Sequence, residues 1–194
     1  MLSSVFVQTS LALPPIQAEP SRDWKAVLGN EKVLARALRR RRLIDYGAFG
    51  AVYRVQDAAL KIGCISDTEA EIQQWVCDQF GRALPVWASG LKISVPRVVT
   101  HEVCPKHGFL AELWTPSSVL CHCGEPMGVI IMPVGKHADQ DAVNNEKFSL
   151  QIGDAVYQAF HIPLDLGPNN FLEYDERLVM CDFGDTNNRT VDYW

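Results

Sequence analysis

Leu43-Ile44-Asp45-Tyr46-Gly47-Ala48-Phe49-Gly50-Ala51-Val52-Tyr53-Arg54-Val55-Gln56-Asp57-Ala58-Ala59-Leu60-Lys61-Ile62 is the stretch that decides the fold. Its apolar, β-branched and aromatic residues fall in three runs, 43–46, 51–55 and 58–62. Gly47 and Gly50 break the first junction, and Gln56-Asp57 breaks the second. Runs of this composition, split by turn residues, read as three antiparallel strands with a glycine-bearing first turn. Upstream, Asn30 is an N-cap followed by Glu31, and Val33, Leu34, Ala37 and Leu38 form an apolar face, which predicts a helix near 31–41. Downstream, Asp67 or Thr68 caps a helix with Ile72, Val76 and Phe80 on its inward face, ended by Gly81. Val95 to Thr100 and Gly128 to Met132 read as apolar strands, with a short strand from Phe109 to Leu113 between them. Phe148 to Phe160 is a second helix, and a short polar hairpin follows. The order predicts an α+β fold: an antiparallel sheet with a helix against it, plus a small helical second part.

The chain has 194 residues, enough for one domain or for one domain of two small lobes. A net charge of −5 argues against nucleic acid as a partner. The run Arg39-Arg40-Arg41-Arg42 is a local exception, and it reads as a solvated helix end. No apolar run approaches the ~18 residues that span a bilayer, so a soluble protein without a membrane span is expected. Residues 1–22 lack the charged start of a secretory signal and read as a flexible leader, leaving residues 23–194 as the folded domain. The six cysteines, at 64, 77, 104, 121, 123 and 181, read as free thiols. Cys104, His107, Cys121 and Cys123 also offer three sulfurs and a nitrogen for tetrahedral Zn²⁺, with His122 as an alternative nitrogen.

The chemistry-bearing residues lie at both ends of the predicted fold. Transfer of a phosphoryl group from ATP needs the triphosphate covered, its charge neutralised by a cation and Mg²⁺, and the attacking hydroxyl held by a carboxylate. Gly47-Ala48-Phe49-Gly50-Ala51-Val52 lets backbone N–H groups approach phosphate oxygens. Lys61, flanked by apolar neighbours one strand later, is the cation, and an inward lysine there needs a counter-charge or a ligand. Glu69 and Glu71 on the next helix can supply the counter-charge. Glu69 is favoured, because Ile72 and Val76 share its face, and Glu71 is the reserve. In Leu164-Asp165-Leu166-Gly167-Pro168-Asn169-Asn170, Asp165 is the candidate base. Asn170, five residues on, and Asp182, twelve further, are hard oxygen ligands suited to Mg²⁺.

Together, over residues 43–184, these motifs resemble the eukaryotic-like protein kinase superfamily. The resemblance matches Gly47–Val52 to the glycine-rich loop, Lys61 to the ATP-anchoring lysine and Glu69 to the glutamate of helix C. Asp165–Asn170 matches the catalytic loop, and Asp182-Phe183-Gly184 the magnesium-binding loop. Val129-Ile130-Ile131-Met132 and Pro133-Val134-Gly135 stand where the adenine-binding hinge would be, with Met132 as gatekeeper. The resemblance implies a minimal bilobal fold, with an N-lobe over about 31–133 and a C-lobe over about 134–194. It implies ATP contacts from Gly47, Ala48, Phe49, Gly50, Val52, Lys61, Met132 and Val134.

Departures sharpen the resemblance. Asp45 stands in place of the first glycine, Pro163 and Leu164 in place of the usual His-Arg, and Gly167 in place of a common lysine. The sequence ends at Trp194, ten residues after Gly184, which implies a strongly reduced helical C-lobe. The chain is most similar to the minimal protein kinases that bacterial pathogens inject as effectors, one family of which phosphorylates a host heat-shock chaperone. That likeness implies a Ser/Thr protein kinase using ATP and Mg²⁺, secreted into the host cell cytosol, with a host protein such as a chaperone as substrate. Two other readings stand beside it: a pseudokinase acting as a binding module, and a small-molecule phosphotransferase of aminoglycoside-kinase type, which Asp-Leu-Gly-Pro-Asn-Asn also resembles.

Overall fold

A computed structural model of the protein describes residues 12–47, 50–63, 65–66, 68–95, 99 and 127–184. The expected strand at 109–113, the four candidate zinc ligands Cys104, His107, Cys121 and Cys123, and Ala48 and Phe49 of the glycine turn lie outside the described residues.

The architecture is α+β, built on a five-stranded antiparallel sheet. Two short helices come first, α1 (Trp24–Leu28) and α2 (Glu31–Leu38); the Asn30 side chain caps α2 by accepting from the Val33 N–H. The strands β1 (Arg42–Gly47), β2 (Gly50–Val55) and β3 (Ala58–Gly63) follow as antiparallel neighbours. Helix α3 (Glu69–Phe80) ends at Gly81 in the left-handed conformation that glycine adopts without cost. Thr68 occupies the cap position of α3 but its side chain makes no capping hydrogen bond. Strands β4 (Ala88–Ile93) and β5 (Met127–Pro133) complete the sheet in the order β1-β2-β3-β5-β4.

Of the strand expected at 95–100, residues 96–98 and 100 lie outside the described residues, and the strand next to β5 in the sheet is Ala88–Ile93. Val95 lies outside it, and Val99 is helical. Both valines are buried in the core, so their apolar character serves packing and not a ladder.

The sheet is covered on both faces, which explains why every residue of β5 is buried. Ala51, Tyr53, Leu60, Ile62, Val129 and Ile131 meet Trp24, Val27, Leu34 and Leu38 of the first two helices. The opposite face, with Ala59, Ile130 and Met132, meets Ile72 and Val76 of α3. That second cluster continues into the C-terminal part: β6 (Lys136–His137), α4 (Gln140–Asn145), α5 (Phe148–Phe160), a 3₁₀ turn (Pro168–Asn170), β7 (Phe171–Tyr174) and β8 (Arg177–Met180). Strands β6, β7 and β8 form a small separate sheet, in which β7 and β8 are the hairpin anticipated after α5. Among the described residues no helix is long and apolar enough to cross a membrane.

Residues 12–22, expected as part of a flexible leader, are packed onto the domain. Ile16 is 6% exposed, the Leu13 N–H donates to Phe80 O at 2.9 Å, and Ala18 O accepts from the Trp87 indole at 2.6 Å. Pro14 O accepts from Arg177 at 2.7 Å, so the segment bridges the end of α3 and the β7–β8 hairpin. A Cβ on Gly81 would fall 2.5 Å from that same Pro14 oxygen, a second reason for glycine there. The folded unit therefore starts before residue 23.

Candidate functional site

Lys61 lies on β3 between buried neighbours, on the sheet face that looks toward α3. Strand alternation sets this orientation: Ala58, Leu60 and Ile62 pack on the opposite side. Its ammonium donates to Glu69 Oε1 and, at 2.9 Å, to Asp182 Oδ1. The Glu69 side chain is 3% exposed and that of Asp182 33%. Glu71, two residues along the same helix, is exposed, so the choice between the two glutamates falls on Glu69.

Lys61 thus stands between two carboxylates, one buried and one partly exposed. Burial would lower the Lys61 pKa, but the Glu69 and Asp182 charges outweigh it and hold the ammonium above its usual range. Burial pushes the Glu69 carboxyl up, against the pull of Lys61 and with the repulsion of Asp182. Asp182, the more exposed of the two carboxylates, presents a hard oxygen donor on the solvent side.

The β7–β8 hairpin explains how Asn170 and Asp182 come together. Phe171 pairs with Met180, so the residues just before β7 and just after β8 emerge at one end. The Cys181 N–H donates to Asn170 O at 3.0 Å, and Phe183, fully buried in the core, anchors the chain beyond Asp182. Asn170 Nδ2 donates to Asp165 O at 2.8 Å, which leaves its Oδ1 as the acceptor for a cation. Asp165 Oδ1 accepts from the Gly167 N–H at 3.0 Å, and Asp182 Oδ1 from the Gly184 N–H at 3.1 Å, fixing both carboxylates against their own loops. Hydrogen bonds thus tie the Asp165 backbone to Asn170 and Asn170 to Cys181, whose chain neighbour Asp182 bonds the Lys61 ammonium beside Glu69.

Among the described residues, the expected nucleotide contacts Val52, Lys61 and Met132 fall on the sheet face that meets α3. Val52 is opposite Lys61 on β2, and Met132 is opposite Ala59 on β5. Val134 is half-buried just past the end of β5. Gly47 and Gly50 pair across the β1–β2 turn. Gly50 also has a packing reason: a Cβ there would lie 2.3 Å from Ile62 O. Cys181, beside Asp182, is a free thiol that burial and the Asp182 charge push up to about 12, against the pull of Lys61.

Gln73 carries no motif signal yet sits at this site. It is fully buried, and its Nε2 donates to Leu84 O at 2.9 Å and to Met132 Sδ at 3.4 Å, tying α3 to the end of β5. Its place one turn after Glu69 is the only sequence cue to that role. Among the described residues no group of three or more His, Cys, Asp or Glu side chains is gathered as if for a metal ion. No protein-family model matches the chain, and no curated protein sequence does.

Proposed function

We propose that the chain is an ATP- and Mg²⁺-dependent protein kinase of the Ser/Thr type. The observation that carries the reading is the convergence of Glu69 and Asp182 on the Lys61 ammonium, from positions 8 and 121 residues away in sequence. A buried Lys–Glu pair with a half-exposed carboxylate beside it suits one end of a nucleotide triphosphate. Asn170 and Asp165 adjoin this cluster, with Asn170 Nδ2 bonded to Asp165 O and Asn170 O to the N–H of Cys181, the neighbour of Asp182.

In this reading Lys61, steadied by Glu69, holds phosphate oxygens, while Met132 and Val134 flank the adenine. Asn170 Oδ1 and the Asp182 carboxylate would hold Mg²⁺, and the donor set fits, being the hard oxygens of an amide and a carboxylate. ATP with Mg²⁺ supplies the phosphoryl group and neutralises its charge. Asp165 orients the acceptor hydroxyl and takes its proton. The likeness to minimal bacterial effector kinases supports a host protein as substrate, and a heat-shock chaperone is the first to try.

The test is labelled ATP with the purified chain and a eukaryotic lysate. Transfer of label to protein is expected, reduced at least about a hundredfold by Asp165→Ala and by Asp182→Ala. Undiminished labelling in both variants refutes the assignment. Label appearing only in a soluble small molecule favours the aminoglycoside-kinase type, and nucleotide binding without any transfer favours a binding module.

A further inference from the structure

We propose that the outer edge of β1, with the end of α2, is a docking surface for an extended acidic segment of another protein. Between Lys32 and Arg54 the chain carries seven of its 18 basic residues and one of its 23 acidic ones, Asp45. Arg36, Arg39, Arg40, Arg42 and Arg54 are all exposed. Among the described residues, none of these five is paired with a carboxylate. The Asp45 carboxylate is turned to its own backbone and accepts from the Tyr46 N–H at 2.7 Å.

Two features go beyond a solvated charge run. Arg42 and Arg54 stand directly opposite each other on neighbouring strands, an arrangement that like charges destabilise unless an anion lies between or over them. The same stretch of chain also exposes apolar side chains: Val33, Ile44 and Tyr46 are each 38–39% exposed.

The topology selects the kind of partner. β1 is the terminal strand of its sheet, and among the described residues it is hydrogen-bonded on one side only, with a bulge at Ile44. An open strand edge recruits another peptide backbone. A second copy of the same edge is excluded, because positive would face positive. Nucleic acid and lipid headgroups have the charge but no main chain to pair. A polyanion longer than the patch would also run onto the rest of a molecule whose net charge is −5. An acidic peptide in extended form satisfies both the charge and the backbone.

The test reads binding and so stands apart from the phosphotransfer reading. Labelled peptides of about ten residues, alternating Glu with Val or Thr, are titrated with the full chain by fluorescence anisotropy at about 50 mM salt. Saturable binding is expected for the acidic peptide and none for its Gln counterpart. Arg40→Glu with Arg42→Glu should weaken it about tenfold or more. Arg40→Gln with Arg42→Gln, a gentler pair checked for folding by circular dichroism, should weaken it less but measurably. N-methylation of alternate peptide nitrogens should weaken binding while leaving the charge intact. The proposal is overturned if the acidic peptide does not bind, if neither variant changes its affinity, or if N-methylation has no effect. It is equally overturned if a short single-stranded RNA or anionic vesicles bind the same surface more tightly than the peptide.

Discussion

Replacing Lys61 by methionine removes the ammonium while keeping the length of the side chain, and so isolates what the charge does for the fold. Glu69, with 3% of its side chain exposed, is left charged and unpaired, whereas Asp182, with 33% exposed, can turn to water. Stranding a buried carboxylate costs about 3–5 kcal/mol. The escape route sets a ceiling on that cost, because Glu69 can take up a proton. From an ordinary value near about 4.3, holding the proton at pH 7 costs roughly 3.7 kcal/mol. The loss at pH 7 is therefore about 3–4 kcal/mol, and at about pH 5 the same route costs only about 1 kcal/mol.

The sign follows from the direction of the change. In the variant, folded-state Glu69 titrates above its unfolded value, so its protonated form favours the fold. Stability is retained below the unfolded pKa and lost as pH rises through the folded one. Urea unfolding of parent and variant at about pH 5, 6 and 7 should show the gap widening by up to about 1.4 kcal/mol per pH unit. Adding Glu69→Gln to Lys61→Met removes the buried charge and should recover most of the loss. A gap that does not change with pH, or a double variant no more stable than the single one, would mean that Glu69 is not stranded as a buried charge.

Four further outcomes are expected. Gly50→Ala drives a Cβ to 2.3 Å from Ile62 O, and overpacking of about 1–3 kcal/mol should lower the melting temperature by roughly 2–10 °C in a thermal scan. Glu176→Gly should raise it by about 2–4 °C, because Asp175 and Glu176 form the β7–β8 turn with φ of 50° and 60°, where glycine carries no strain. Ile16→Asp should free residues 12–22, seen as new cleavage there in limited proteolysis while the remainder resists. The Cys181 thiol, pushed up to about 12, stays protonated through neutral and mildly alkaline pH. Its alkylation at pH 8, followed by peptide mapping, should be slower than that of an ordinary thiol by about a thousandfold.

The three-strand reading of 43–62 agrees with the structure because turns and strands there are set by local chemistry: glycines at 47 and 50, and β-branched or aromatic residues between. Helix α3 and its glycine stop were legible for the same reason, as were α5 and the polar hairpin after it. Strand β4 was not. Ala88-Ser89-Gly90 has little strand propensity, and it is held by pairing with β5, nearly forty residues later in sequence. Residues 12–22 were equally opaque, because their order comes from carbonyls meeting Phe80, Trp87 and Arg177, partners that no local pattern announces.

At the candidate site the division follows the same line. Which groups could act was legible from residue types alone, since a lysine among apolar strand residues, carboxylates and an amide have fixed charges and ligand preferences. The sequence also narrowed the lysine's partner to two glutamates, because helix periodicity is a local property. The tertiary structure alone decided that Glu69 and Asp182 reach one ammonium together, that Gln73 ties α3 to Met132, and that Gly50 is needed for strand packing. Those facts depend on which face of the sheet meets α3 and on where a hairpin brings its two ends. Both are set by burial summed over the whole core, which no single stretch of sequence contains.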